Sequence, residues 1–176
     1  MRLFTAIVPP REVLDDLDAE LGRHGRRASG EHEPLRWVAA SLWHVTVAFY
    51  GEDDPGRRTR MLGREVAGHR AVELRLDGAG TFPGVLWVGI TGDRERLRAV
   101  ARAAGVDESA RPYHPHLTLA RGKGRTANTT ARRWAEALAG YRGPVWTARE
   151  LVLMRSELYR DGPRYTEVER FPLATE

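Results

Sequence analysis

The sequence predicts an α+β protein built mainly on antiparallel sheet, and three observations lead to this prediction. Segments with the two-residue alternation of strands are interspersed with segments that have helical spacing. Most neighbouring strand segments are joined by short turns, such as the Gly-rich residues 78–84, which are too short for a parallel crossover. The 176 residues, 41% of them apolar, are enough for one domain with a core of its own.

Runs rich in β-branched and aromatic residues predict the strands. Gly51 ends the third of these runs, and the turn at 159–163 separates the last two. The predicted strands are residues 2–8, 35–38, 42–51, 71–80, 85–90, 113–122, 145–158 and 164–173.

Apolar residues at helical spacing predict four helices, at residues 9–25, 53–69, 93–105 and 126–140. The first begins near Pro10, and in the second Asp54 stands before Pro55 as a candidate N-cap. Residues 26–34 are polar and predict a loop.

Composition limits the classes of function. The chain has no Cys, which excludes disulfides, thiol catalysis and cysteine-bound zinc and is compatible with the cytoplasmic location that we expect. It has no apolar run of about 18 residues, so we expect no membrane span. The net charge is +4, and Lys123 is the only lysine. Arginine suits phosphate recognition, although these arginines are spread along the chain and mixed with acidic residues.

Two strand segments in opposite halves of the chain share one pattern. HVTVAFYG begins at His44 and HLTLARGK begins at His116, and both have the order His, apolar, Thr, apolar, Ala. One His-x-Thr is a weak signal, because threonine is common in strands and a lone histidine is more often structural. Two copies in matched contexts predict two similar lobes, each of which contributes a His-Thr pair to a central cleft.

Strand side chains alternate between faces, so each segment has a predicted polar face and a predicted apolar face. The polar face holds His44, Thr46, Ala48, His116, Thr118 and Ala120. The apolar face holds Val45, Val47, Phe49, Leu117 and Leu119.

Two opposed imidazoles suit one type of reaction. Imidazole has a pKa of about 6.5, so it can take or give a proton near neutral pH. One ring can remove a proton from attacking water while the other protonates the departing oxygen, as in-line displacement at phosphorus requires. Threonine hydroxyls and an arginine can hold the non-bridging phosphate oxygens between the rings.

The paired motifs resemble those of the 2H phosphoesterase superfamily, and more narrowly those of the bacterial and archaeal RNA 2′,3′-cyclic phosphodiesterases, historically called 2′-5′ RNA ligases. The resemblance covers nearly the whole chain. It is carried, in order, by RLFTAIVPP, LRWVAASLWHVTVAFYG, FPGVLWVGI, YHPHLTLARG and LVLMRSELYRDGPRYTEV.

This resemblance implies a single bilobal domain over residues 1–176, with two pseudo-symmetric lobes, helices packed outside and the active-site cleft between them. It implies hydrolysis of an RNA or nucleotide 2′,3′-cyclic phosphate end to a 2′-phosphomonoester, without a metal or cofactor, and we expect a monomer. His44 would be the general acid that protonates the leaving 3′-oxygen, and His116 the base that activates water. Thr46, Thr118 and Arg121 would hold the phosphate. The acid and base roles depend on substrate orientation and exchange in the reverse reaction.

Arg121 conflicts with a regular strand. It lies at odd spacing from His116, so strict alternation places it on the apolar face. It can reach the phosphate only if the strand ends or bulges near Ala120, and the following GKG makes such a break plausible.

Two alternative functions remain open from the sequence. The chain could be a metal-dependent hydrolase in which His114 and His116 share a face and bind the metal, although no carboxylate or third histidine stands at helpful spacing. The chain could also be a non-catalytic RNA-binding module. Trp37 and Trp87 could stack on a base, and Tyr165 could line the cleft, but strand aromatics usually belong to the core.

Overall fold

The architecture was obtained from a computed structural model, which describes residues 1–26 and 32–175. The predicted polar loop at 26–34 therefore lies largely outside the described residues. Within them, the α+β class with antiparallel sheet is confirmed: strands form a single sheet and helices cover one of its faces. That residues 1–176 form one bilobal domain stays a prediction.

Nine strands among the described residues form the sheet. Their order is β7-β4-β5-β6-β3-β1-β8-β9, β2 pairs with β6, and every strand pair is antiparallel. The strands are β1 Arg2–Ile7, β2 Arg36–Trp37, β3 Val45–Glu52, β4 Val72–Phe82, β5 Val85–Gly92, β6 His116–Arg121, β7 Arg142–Ala148, β8 Glu150–Tyr159 and β9 Gly162–Pro172.

The four helices of the described chain are α1 Arg11–Arg23, α2 Pro55–Glu65, α3 Arg94–Ala103 and α4 Gly124–Ala137. The Asp54 carboxylate accepts a hydrogen bond from the backbone amide of Arg57 at 2.6 Å, so the predicted N-cap of α2 is confirmed. Asp93 caps α3 in the same way. None of these helices is long and apolar enough to cross a membrane.

The sheet consists of two halves that meet at one residue pair. The first half contains β3, β1, β8 and β9, and the second contains β6, β5, β4, β7 and β2. Between β3 and β6, the paired residues are Val45 and Leu117, and both are fully buried. Their side chains join the helices in one apolar core, so the flanking residues of each strand point to the opposite face. We call that opposite face the histidine face.

The predicted strand at 145–158 is wrong as a single element. It is two strands, β7 and β8, which separate at Arg149. β7 pairs with β4 and β8 pairs with β1, so they belong to different halves. The chain thus passes from one half to the other at Arg149, and this step is set by long-range pairing rather than by a local turn residue.

Candidate active site

His44 and His116 lie on either side of the pair that joins the halves. His44 directly precedes β3, and His116 is the first residue of β6. Because β3 and β6 are antiparallel around Val45 and Leu117, the two histidines are diagonal neighbours on one face. Diagonal neighbours lie about 7–8 Å apart, which leaves room for a phosphate between the rings.

Each imidazole is oriented by the same backbone contact. His44 Nδ1 lies 2.8 Å from the carbonyl oxygen of Leu42, and His116 Nδ1 lies 2.8 Å from that of His114. A carbonyl can only accept, so both rings carry their proton on Nδ1. The Nε2 atoms are therefore the ones available for chemistry. The short 3₁₀ turn at Ala40–Leu42 supplies the first carbonyl, and it is why β3 begins at Val45 rather than at residue 42.

Thr46 contacts its own histidine. Its Oγ1 lies 3.0 Å from His44 Nε2, and because this nitrogen carries no proton, the threonine hydroxyl donates. The described residues show no matching bond between Thr118 and His116, so the hydroxyl of Thr118 is free to contact a ligand. Tyr113 donates from its hydroxyl to the backbone oxygen of Thr46 at 2.8 Å, which ties the loop before β6 to β3.

Each motif strand contains a bulge directly after its threonine. Thr118 pairs with Trp87 while Ala120 pairs with Leu86, so Leu119 is an extra residue in β6. Beyond it the alternation is reversed: Ala120 is fully buried, and Arg121 joins the histidine face. This is the irregularity that Arg121 requires to approach a phosphate there.

The bulge in β3 makes two of the predicted faces wrong. Val47 is the extra residue, since Thr46 pairs with Ala6 and Ala48 pairs with Thr5. Ala48 is therefore in the core at 6% exposure, while Phe49 is 57% exposed. For the same reason the predicted polar position of Ala120 is wrong. Alternation fails in both strands because a bulge places two successive residues against one partner residue.

Aromatic rings surround both histidines. Phe4 and Tyr165 contact the His44 ring at centroid distances of 5.1 and 5.3 Å. Phe82 contacts the His116 ring edge-on at 5.2 Å, and Trp87 lies 6.2 Å from it. These rings restrict water around the imidazoles.

The local electrostatics favour neutral imidazoles. Burial lowers the pKa of both His44 and His116 below the usual 6.5, and the positive charge of Arg121 lowers both pKa values further. The backbone hydrogen bonds oppose this by raising the pKa. His116 also lowers the pKa of His44, which reflects their proximity. An anion bound between the rings would reverse this effect and favour one protonated ring.

The described residues give little support to a metal site at His114 and His116. The rings of His114 and His116 are 5.8 Å apart, and His114 packs against Trp87 at 4.8 Å. No group of three or more potential ligands that could hold a metal ion occurs in the chain as described. Within residues 1–26 and 32–175, the pair therefore lacks the third ligand that a metal site needs.

The five residues predicted from the motifs thus lie around one region of the histidine face. Of the other candidates, Tyr165 and Trp87 reach this region, whereas Trp37 packs against Trp134 at 4.9 Å. Sequence reasoning missed Phe4, Phe82 and Tyr113. Their positions follow from strand pairing and loop closure, and no local pattern marks them.

Comparisons with known proteins agree with this geometry. A sequence model of the 2′-5′ RNA ligase superfamily matches residues 9–160. An RNA 2′,3′-cyclic phosphodiesterase of Escherichia coli (strain K12) is 29% identical, over 98% of this chain and 96% of its own length. Its counterpart in Thermus thermophilus is 32% identical, over the whole of this chain and 92% of its own length. The crystal structure of E. coli LigT complexed with 3′-AMP matches 99% of this chain and 98% of LigT, with a TM-score of 0.75 and 27% identity.

Proposed function

Because the chain belongs to the 2′-5′ RNA ligase superfamily, we propose that it is an RNA 2′,3′-cyclic phosphodiesterase that opens a 2′,3′-cyclic phosphate to a 2′-phosphomonoester. The single observation that carries the proposal is the pair of imidazoles on the histidine face, His44 and His116, each with Nδ1 bonded to a backbone carbonyl. Relatives of this name cover nearly the whole chain.

In the proposed reaction, water attacks phosphorus from the His116 side. His116 Nε2 takes a proton from the water as its oxygen bonds to phosphorus, and the bond from phosphorus to O3′ breaks. His44, protonated on Nε2, gives that proton to O3′. Each histidine ends in the other's starting state, and exchange with solvent restores both.

The remaining proposed roles concern the phosphate itself. The hydroxyls of Thr46 and Thr118 donate to its non-bridging oxygens, and the Arg121 guanidinium offsets the charge that builds up there. Support for Arg121 comes from the bulge at Leu119 and from the effect of its charge on the pKa of both histidines. His44 depends on bound phosphate for its proton, because in the free protein burial favours its neutral form.

Hydrolysis of cytidine 2′,3′-cyclic phosphate in excess chelator tests the proposal. We expect turnover by the unaltered protein, with product bearing a 2′-phosphate, and a loss of about 10²- to 10⁴-fold in His44→Ala and in His116→Ala. His24→Ala is the matched control, because His24 bonds to Glu20 at the end of α1. Full activity in both alanine variants would refute the mechanism, and activity abolished by chelator and restored by metal would favour a metal hydrolase.

A monomer that acts in the cytoplasm remains part of the proposal. The absence of Cys is compatible with this location. Sedimentation at micromolar concentration would test the monomer.

A further inference from the structure

Phe49 is an exposed aromatic ring on the same face as the histidines. It pairs with Phe4 across β1 and β3, and paired residues in a sheet point to one face. The Phe4 ring is in contact with His44. Along the chain, Phe49 lies five residues after His44, which is roughly 13–17 Å at the rise of a strand. An exposure of 57% is high for a phenylalanine on this face.

Phe49 and Arg121 occupy equivalent positions in the two halves. Each lies five residues after its motif histidine and two after the bulge residue, Val47 or Leu119. Each is turned to the histidine face by that bulge. One half thus presents a cation where the other presents an aromatic ring, which matches a ligand with an anionic group and a flat ring system.

Positive charge extends from the histidines towards Phe49. The Arg2 guanidinium carbon lies 5.3 Å from the centroid of the Phe49 ring. Arg2 is exposed and takes part in no ion pair within residues 1–26 and 32–175. Burial raises the pKa of Tyr165, and the charges of Arg121 and Arg2 both oppose that rise. Tyr165 is therefore within range of both cations, Arg121 near the candidate phosphate site and Arg2 beside Phe49.

We propose that Phe49 and Arg2 bind the penultimate nucleotide of an RNA strand. This inference rests on the proposed function, in which the terminal cyclic phosphate lies between the histidines. The preceding base then stacks on the Phe49 ring, and Arg2 contacts the phosphate that links the last two nucleotides. Stacking on an aromatic ring tolerates any base, and a guanidinium suits a phosphate diester. The site therefore prefers oligonucleotide ends to cyclic mononucleotides, without regard to sequence.

The test compares cytidine 2′,3′-cyclic phosphate with a dinucleotide that ends in the same cyclic phosphate. Stacking of one base contributes about 1–3 kcal/mol, so Phe49→Ala should lower kcat/KM on the dinucleotide about 5- to 150-fold. The mononucleotide should change less than about twofold. Phe49→Tyr keeps a ring and should keep the preference. Val145→Ala removes an apolar side chain that is 51% exposed in the second half, and it should affect neither substrate.

Arg2 gives an independent measurement. On the dinucleotide, Arg2→Gln should reduce the slope of log(kcat/KM) against log salt by about 0.7, the value for one phosphate of a single strand. Equal losses on both substrates, or no loss with Phe49→Ala, would overturn the inference while leaving the hydrolysis intact. Wild-type protein inactive on both substrates would overturn the proposed function itself.

Discussion

Replacement of Thr46 by valine removes one hydroxyl and little else. Valine keeps the branched shape, and the backbone oxygen that accepts from Tyr113 is unchanged. The lost hydroxyl bonds to His44 Nε2 at 3.0 Å and in the proposed reaction contacts the phosphate. A hydrogen bond to a charged group contributes about 1.5–3 kcal/mol, and about 1.36 kcal/mol equals a factor of ten. We therefore expect kcat/KM to fall about 10- to 150-fold.

The assay is initial-rate hydrolysis of cytidine 2′,3′-cyclic phosphate by Thr46→Val, with Thr46→Ser as the control that keeps the hydroxyl. Urea unfolding should change by no more than about 1.5 kcal/mol, because the lost bond is a single one in a half-buried site. If the valine variant is as active as the serine variant, the hydroxyl does not contact the transition state and the assigned role of Thr46 is wrong.

Three further predictions follow from the geometry. The pKa values of His44 and His116 are both lowered in the free protein. If these two imidazoles are the acid and the base, kcat/KM plotted against pH should be a bell with its maximum below about 6.5. Since bound phosphate favours protonation, kcat should peak at a higher pH, and coincident maxima of kcat and kcat/KM would contradict this. In Gly80→Ala, the new Cβ would lie 2.4 Å from the Trp87 ring, so Trp87 must move away from the site. We expect a reduced kcat/KM and a changed tryptophan emission. Gly140→Ala, where the new Cβ meets open space, is the control and should leave both unchanged. Hydrogen bonds from neighbouring arginines lower the pKa of Asp53 to about 2. The carboxylate therefore stabilises the fold above about pH 4, and this contribution is lost as the pH falls towards 2. The free energy of unfolding measured in urea should vary less between about pH 4 and pH 2 for Asp53→Asn than for the wild type.

Local rules of helix and turn formation explain what the sequence predicted well. Asp54 before Pro55 is a start signal that needs only its own neighbours, and the structure shows the bond. The strand predicted at 145–158 fails for the opposite reason. It contains no Gly or Pro, and its division at Arg149 depends on β7 and β8 finding different partners far along the chain.

The candidate site shows the same contrast. His44 and His116 are found from the sequence because the motif is repeated. Arg121 is placed correctly only if the strand is known to bulge, and Phe49 is misplaced because no residue type marks the bulge at Val47. The carbonyl contacts to Nδ1 are equally hidden, since they depend on the path of the backbone before each strand.

The shared backbone arrangement of the two histidines has a consequence for the direction of substrate binding. Both rings are held alike at Nδ1, which is bonded to the carbonyl oxygen two residues back, so these backbone contacts give no polarity to the site. A substrate turned end for end would meet the same pair with donor and acceptor exchanged. Polarity must therefore come from the residues in which the halves differ, and Arg121 opposite Phe49 is the clearest difference. An exchange of these two side chains would move the cation to the other half, and we expect it to reverse the orientation of the strand.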